Sequence, residues 1–136
     1  MAGNIQLEVV TPEKEVINEE AQIVMAPGSL GEFGVLIGHT PFMTSLKTGS
    51  LRYTDAKGTE RHVFVSGGFA EALPDKVTVL AESAERRRDI DPDRAKSAMA
   101  RAEQRMTSSG EDIDFIRAKA ALERALYRIR LIDSGH

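Results

Sequence analysis

Residues 76–95 read Lys76-Val77-Thr78-Val79-Leu80-Ala81-Glu82-Ser83-Ala84-Glu85-Arg86-Arg87-Arg88-Asp89-Ile90-Asp91-Pro92-Asp93-Arg94-Ala95, and within them the chain changes texture. Val77, Thr78 and Val79 among the first five residues are β-branched, as suits a half-buried strand. After Leu80 valine disappears, and alanine and arginine take over. Asp91-Pro92 then opens a helix: the carboxylate can cap free N–H groups, and proline is tolerated at the first helical position. The spacing thus predicts a β module before this stretch and helices after it.

Upstream, period two recurs. Ile5-Gln6-Leu7-Glu8-Val9 alternates cleanly, and Ala21-Gln22-Ile23-Val24-Met25 is an apolar run that stops at Pro27-Gly28. Ser50-Leu51-Arg52-Tyr53-Thr54 and Arg61-His62-Val63-Phe64-Val65 flank the polar turn Asp55-Ala56-Lys57-Gly58, which predicts a hairpin. Nine of the 11 glycines and four of the 5 prolines precede residue 75, which suits many short strands. The expected fold class is an all-β sandwich or flattened barrel followed by an antiparallel α-helical hairpin.

Downstream, a first helix is expected from Asp91-Pro92 to about Met106, and Thr107-Ser108-Ser109-Gly110 reads as a turn. Ser109 followed by Asp112 resembles a capping box. Phe115, Ala118, Leu122, Ala125, Ile129 and Ile132 trace one apolar stripe on a second helix. Ala95, Ala98, Met99, Ala102 and Met106 form the partner stripe, whose small alanines allow close approach. The expected organisation is residues 1–85 as the β domain, 86–90 as a charged hinge, and 91–136 as the hairpin.

The 136 residues carry a net charge of −3, divided unevenly. Residues 1–84 hold six basic against eleven acidic side chains, whereas residues 85–136 hold twelve against ten. That excludes the strongly basic face that nucleic-acid binding needs. The lack of cysteine removes disulfides and thiolate chemistry. The first residues contain no basic segment followed by an apolar one, so no secretory signal is expected. No apolar run approaches the roughly 20 residues of a membrane span. A soluble chain is expected.

Catalytic chemistry is missing. His39, His62 and His136 are too scattered for a metal site, and Gly28–Gly34 is glycine-rich without the Lys-Ser/Thr that closes a phosphate loop. Glu82 and Glu85 have no partner base. The arginines are patterned, however. Arg94, Arg101 and Arg105 are spaced seven and four, and Arg117, Arg124 and Arg128 repeat that spacing. Each row lines one helix face. One reading is a solvated face paired locally with acids such as Asp91, Glu103 and Glu123. The other is that guanidinium groups converge on a polyanion.

Four stretches carry a resemblance. Gly31-Glu32-Phe33-Gly34-Val35-Leu36-Ile37-Gly38-His39-Thr40-Pro41, Val65-Ser66-Gly67-Gly68-Phe69, Ile90-Asp91-Pro92-Asp93-Arg94-Ala95 and Ala121-Leu122-Glu123-Arg124-Ala125-Leu126-Tyr127-Arg128 occur in this order. They resemble the motifs of the epsilon subunits of bacterial rotary (F-type) ATP synthases over essentially the whole chain. The resemblance implies a ten-stranded sandwich with a two-helix hairpin, and a non-catalytic subunit of the central stalk that helps couple proton flow to ATP synthesis. It implies the gamma subunit, the c-subunit ring and, with the hairpin extended, the alpha/beta catalytic head as partners, with no nucleic acid and no membrane insertion. Location would be peripheral, on the cytoplasmic face of the bacterial inner membrane; a plastid or mitochondrial counterpart is the alternative within the family. Outside it, a free sandwich adaptor with a helical tail explains the architecture but not the four motifs.

The resemblance also assigns residues. Glu32, Gly38 and His39 correspond to the contact with the c-ring, although their loop's glycines also serve turn geometry. No cofactor is required, but ATP is implied as a regulatory ligand of Glu85, Ile90, Asp91, Arg94, Ala95, Arg101, Arg124 and Arg128. Asp91 remains equally a helix cap. The hairpin is implied to stop ATP hydrolysis when extended and to be released from that position by ATP.

Overall fold

The computed structural model describes residues 3–108 and 112–134 and divides into two compact units, Met1–Arg86 and Arg87–His136. The first unit holds nine strands: β1 (Ile5–Val10), β2 (Glu15–Gly28), β3 (Gly31–Val35), β4 (Phe42–Ser45), β5 (Gly49–Asp55), β6 (Glu60–Ser66), β7 (Phe69–Leu73), β8 (Lys76–Leu80) and β9 (Ser83–Arg86). Their order is β4-β7-β8-β1-β2-β5-β6-β9, with β3 attached to β2. All pairings are antiparallel except β1 with β8.

The fourteen-residue strand β2 organises this sheet. Its first half pairs with β1, from Ala21↔Ile5 to Glu15↔Val10. Its second half pairs with β3 and β5, through Val24↔Val35 and Val24↔Tyr53. An irregularity between Ala21 and Ile23 re-aims the strand between the two halves, as a bulge does. Inward side chains from every strand but β4 meet in one core, whose centre is Ile5, Leu7, Val9, Val24, Leu51, Val63, Val65, Val77 and Val79, and Phe42 of β4 packs against it. Each is fully buried, and each such side chain stabilises the fold by about 1.5–3 kcal/mol.

The sheet is not closed into a barrel, and among the described residues it has nine strands rather than ten. The two ends of the strand order, β4 and β9, are short edge strands of four residues each. Strand β2 takes in Pro27 and ends at Gly28. Pro27 lies opposite Glu32 of β3, and its carbonyl accepts Lys47 N–H at 3.0 Å on the other side. Its missing donor would point to that same other side, so the β3 ladder loses nothing.

The expected hairpin of β5 and β6 forms, with Gly49↔Val65 through Thr54↔Glu60 in register. Buried Asp55 organises its turn: Oδ1 accepts from Lys57 N–H and Thr59 N–H, each at 2.9 Å, and Oδ2 from Arg61 Nε at 3.2 Å. The Thr59 bond foremost, with Arg61 and Lys57, holds the carboxyl below the usual aspartate range against the opposing effect of burial. A depressed folded pKa means stability present above the ordinary value near 4 and lost as pH falls through the folded value. Asp55→Asn keeps the acceptor for both N–H groups but cannot ionise. Its Tm should be lower at neutral pH and should fall less steeply on acidification; parallel Tm–pH curves for the two chains would contradict this.

In the second unit a 3-10 turn, Arg87–Asp89, leads into α1 (Pro92–Ser108), which packs against α2 (Asp112–Asp133). The charged stretch 86–90 takes in the last residue of β9 and that turn, and the boundary between the two units falls within it. Helix α1 runs past Met106 and takes in Thr107 and Ser108; Ser109 and Gly110 lie outside the described residues, and with them the capping box to Asp112. Ala95 and Ala102 on α1 and Ala118 and Ala125 on α2 are buried, each pair seven apart, as a seam of closely approaching helices requires. Phe115 departs from the expected stripe and is 42% exposed. At 3.6 residues per turn it stands about 60° round the helix from Ala118, at the stripe's edge.

Candidate functional site

Two regions hold the residues that the motifs single out. The first lies on the β unit. Gly28 to Gly34 is no cradle: β2 and β3 join through Ser29-Leu30 in a tight hairpin with Gly28 opposite Gly31. Ser29 N–H donates to Ser45 O at 2.9 Å, and the Ser45 and Ser29 hydroxyls bond at 2.7 Å, which fastens the tip to β4. Glu32 follows on β3, exposed, with Oε1 3.0 Å from Arg52 Nη2 of β5.

The chain then leaves β3 through Leu36–Pro41. Gly38 has φ of +83°, which a side chain would strain, and its N–H donates to Pro74 O at 2.6 Å. That bond ties the loop to the β7–β8 turn. His39 Nδ1 lies 2.6 Å from Thr40 O; a carbonyl only accepts, so this nitrogen carries the proton. The His39 ring packs on Phe42 at 5.0 Å, and Phe42 meets Phe33 edge-on at 5.1 Å. Glu32, Gly38 and His39 therefore stand on one braced segment that begins at β3. Leu30 and Leu36 are exposed beside them.

A second feature of this unit escaped the sequence. Met43, Phe69, Leu73 and Leu80 project from the outer face of neighbouring strands β4, β7 and β8, with Phe69 directly opposite Leu80. Phe69 and Leu80 are each more than half exposed. Alternation marks the outer face of β8, but only the strand order brings β4 and β7 alongside it.

The second region is the hairpin. Seven of the eight residues assigned to ATP lie there; Glu85 lies on β9 of the first unit, opposite Phe64. Ile90 is buried, and its N–H donates to Arg87 O at 3.2 Å. Asp91 caps α1: Oδ1 accepts from Asp93 N–H at 3.0 Å and Arg94 N–H at 3.1 Å, while its carbonyl accepts from Ala95 N–H at 3.0 Å. Pro92 has no N–H. Every first-turn donor of α1 is thus engaged or absent, so an anion cannot be held by this helix end and would need side chains.

The arginines supply them. Arg94 and Arg101 are exposed, and Arg124 and Arg128 are half-buried. Among the described residues none of Arg94, Arg101, Arg105, Arg117 and Arg124 is in an ion pair, so the local pairing with Asp91, Glu103 and Glu123 does not occur for them. Each row stands about 100° round its helix from the buried alanines, in the same sense. In an antiparallel pair, equal offsets of one sense bring both rows to the same side of the hairpin. Also among the described residues, no group of three His, Asp or Glu could hold a metal, and no helix is long and apolar enough to cross a membrane.

Comparison with known proteins gives concordant results. The family model described as the beta-sandwich domain of the ATP synthase delta/epsilon chain matches residues 4–87, and the model for its long alpha-helix domain matches residues 88–133. The ATP synthase epsilon chain of Desulforapulum autotrophicum is 64% identical over 98% of this chain and 99% of its own length. That of Nitratidesulfovibrio vulgaris is 56% identical over 96% and 97%. A chain in the Euglena gracilis mitochondrial ATP synthase structure has the same fold, with a TM-score of 0.76 at 24% identity over 88% of this chain and 76% of that one.

Proposed function

This chain belongs to the ATP synthase delta/epsilon-chain family, as a non-catalytic, epsilon-type central-stalk subunit, and from that premise we propose that its hairpin is an ATP-responsive brake. In one position the hairpin binds ATP; in the other it extends into the alpha/beta head and stops hydrolysis. The β unit stays fixed throughout, with the outer face of Met43, Phe69, Leu73 and Leu80 on the gamma subunit and the segment of Glu32, Gly38 and His39 on the c-ring. An apolar patch of this kind on a stalk subunit is explained by a permanent partner. The assembled subunit is peripheral, at the cytoplasmic face of a bacterial inner membrane, where the enzyme couples to proton flow.

The observation that carries the reading is the pair of arginine rows on one side of the hairpin. Matching the alanine seams across the short link sets Ala95 against Ala125 and Ala102 against Ala118. At that register Arg94 comes level with Arg124 and Arg128, and these three hold the phosphates. Arg101 extends the row. Ile90 and Ala95 pack the root of the hairpin, and Asp91 keeps the start of α1 in place, leaving Oδ2 for the base or ribose.

Linkage then gives regulation. ATP favours only the state that binds it better, so abundant ATP holds the hairpin away from the head and scarce ATP releases it. Isothermal titration of ATP into the isolated chain tests the site. Binding should appear below millimolar ATP and should weaken about 10- to 100-fold in Arg124→Ala, the loss of a charge-assisted hydrogen bond. No heat at millimolar ATP would sink the sensor while leaving the stalk role in place.

A further inference from the structure

We propose that Arg52 is a positioning residue for Glu32, fixing the carboxylate that β3 presents to its partner. The inference rests on the reading that this segment meets the c-ring. Strand β3 is joined to the sheet on one side only, through β2, and Glu32 lies on its outer face. Its direct neighbour across the ladder is Pro27, which has no donor, and the next residue on its own face is Gly34, which has no side chain. Nothing on β2 or β3 therefore restrains a long, exposed carboxylate arm. The restraint comes from two strands away. Met25 of β2 pairs with Gly34 on one side and Arg52 on the other, so Glu32, Gly34, Met25 and Arg52 share a face. Arg52 spans about 10 Å of sheet to place Nη2 3.0 Å from Glu32 Oε1. Gly34 keeps that face open, since a Cβ there would stand 2.7 Å from Met25 Sδ.

Fold stability does not explain this pair. Its side chains are 39% and 48% exposed, and ion pairs so exposed hold a fold only weakly. The geometry suits presentation instead. Among the described residues Oε2 of Glu32 has no partner, so one oxygen is anchored and the other is left to accept. A carboxylate only accepts, so the group it meets is an N–H or O–H donor on a polar loop of the ring. Holding the arm in advance removes rotamer entropy that docking would otherwise have to overcome.

The test uses the assembled synthase in inverted membrane vesicles and reads ATP-driven proton pumping per ATP hydrolysed. Glu32→Gln should lower that ratio, and Arg52→Gln should lower it about twofold or more. Arg52→Lys should recover most of it, and Arg52→Gln added to Glu32→Gln should cost nothing further. The isolated Arg52→Gln chain should keep its Tm. An unaltered ratio in Glu32→Gln overturns the ring reading and this inference together. A loss in Glu32→Gln without one in Arg52→Gln overturns the positioning role alone, as does a further loss when the two changes are combined.

Discussion

Gly68→Ala is expected to destabilise the β unit by about 3 kcal/mol or more, and to lower its Tm by about 12–24 °C. Two effects add. Gly68 sits at φ of +99°, outside the regions that L side chains adopt readily. A Cβ there would also lie 1.9 Å from Leu80 O and 2.8 Å from Ala81 Cα, both backbone atoms that no rotamer change can clear. The close approach has a purpose. The β6–β7 connection must cross to the other side of the sheet order, where β7 joins β8, and Gly68 O accepts Leu46 N–H at 2.8 Å on the way. Gly58→Ala separates the two effects. Its φ is +89°, but nothing lies within 4 Å of its Cβ, so only the backbone strain of about 1–2 kcal/mol applies. Equal Tm losses in the two variants would show that the approach to Leu80 is not tight.

That contrast explains which parts of the molecule could be read from its sequence. The Ser66-Gly67-Gly68 motif was visible, but its reason lies in contact with residues twelve positions later. Strands β1, β5 and β8 were legible because their alternation is local and one face is buried, and β6 because Val63-Phe64-Val65 is an apolar run beyond a polar turn. Strands β3, β4, β7 and β9 were not. β3 leaves three of its five residues exposed and β4 buries none of its four fully, β7 interleaves alanines with Phe69, Glu71 and Leu73, and β9 is Ser-Ala-Glu-Arg. Each exists because a neighbouring strand supplies a ladder, and pairing partners are invisible in one chain. The first half of β2 was hidden similarly, since Glu15, Glu19 and Glu20 mask the inward residues Ile17 and Ala21.

The same division runs through the candidate sites. The helix cap at Asp91 and both arginine rows follow from spacing within a helix, where three to seven residues fix a face. That the rows share one side needs only the further fact of an antiparallel hairpin. Arg52 could not be found this way: alternation put it on the outer face of its strand, but its partner Glu32 is twenty residues away on a strand that the pattern did not reveal.

Removing residues 91–136 should raise the ATP hydrolysis rate of the assembled synthase several-fold. The β unit should survive the cut, because the members of its core cluster run from Ile5 to Ala84, within the unit itself. The truncated subunit therefore keeps its proposed faces for gamma and the ring, and only the brake is lost. The size of the rise reports the resting bias: each ~1.4 kcal/mol in favour of the inhibitory position multiplies the released rate about tenfold. ATP then supplies a second axis. In the intact subunit the ratio of truncated to full-length rates should shrink as ATP increases, because binding withdraws the hairpin from the head. With Arg124→Ala the ratio should stay high at ATP concentrations that relax the unaltered chain. An unchanged rate on truncation would remove the brake from the mechanism. A rise that is equal at all ATP concentrations would keep the brake and remove ATP as the ligand that releases it.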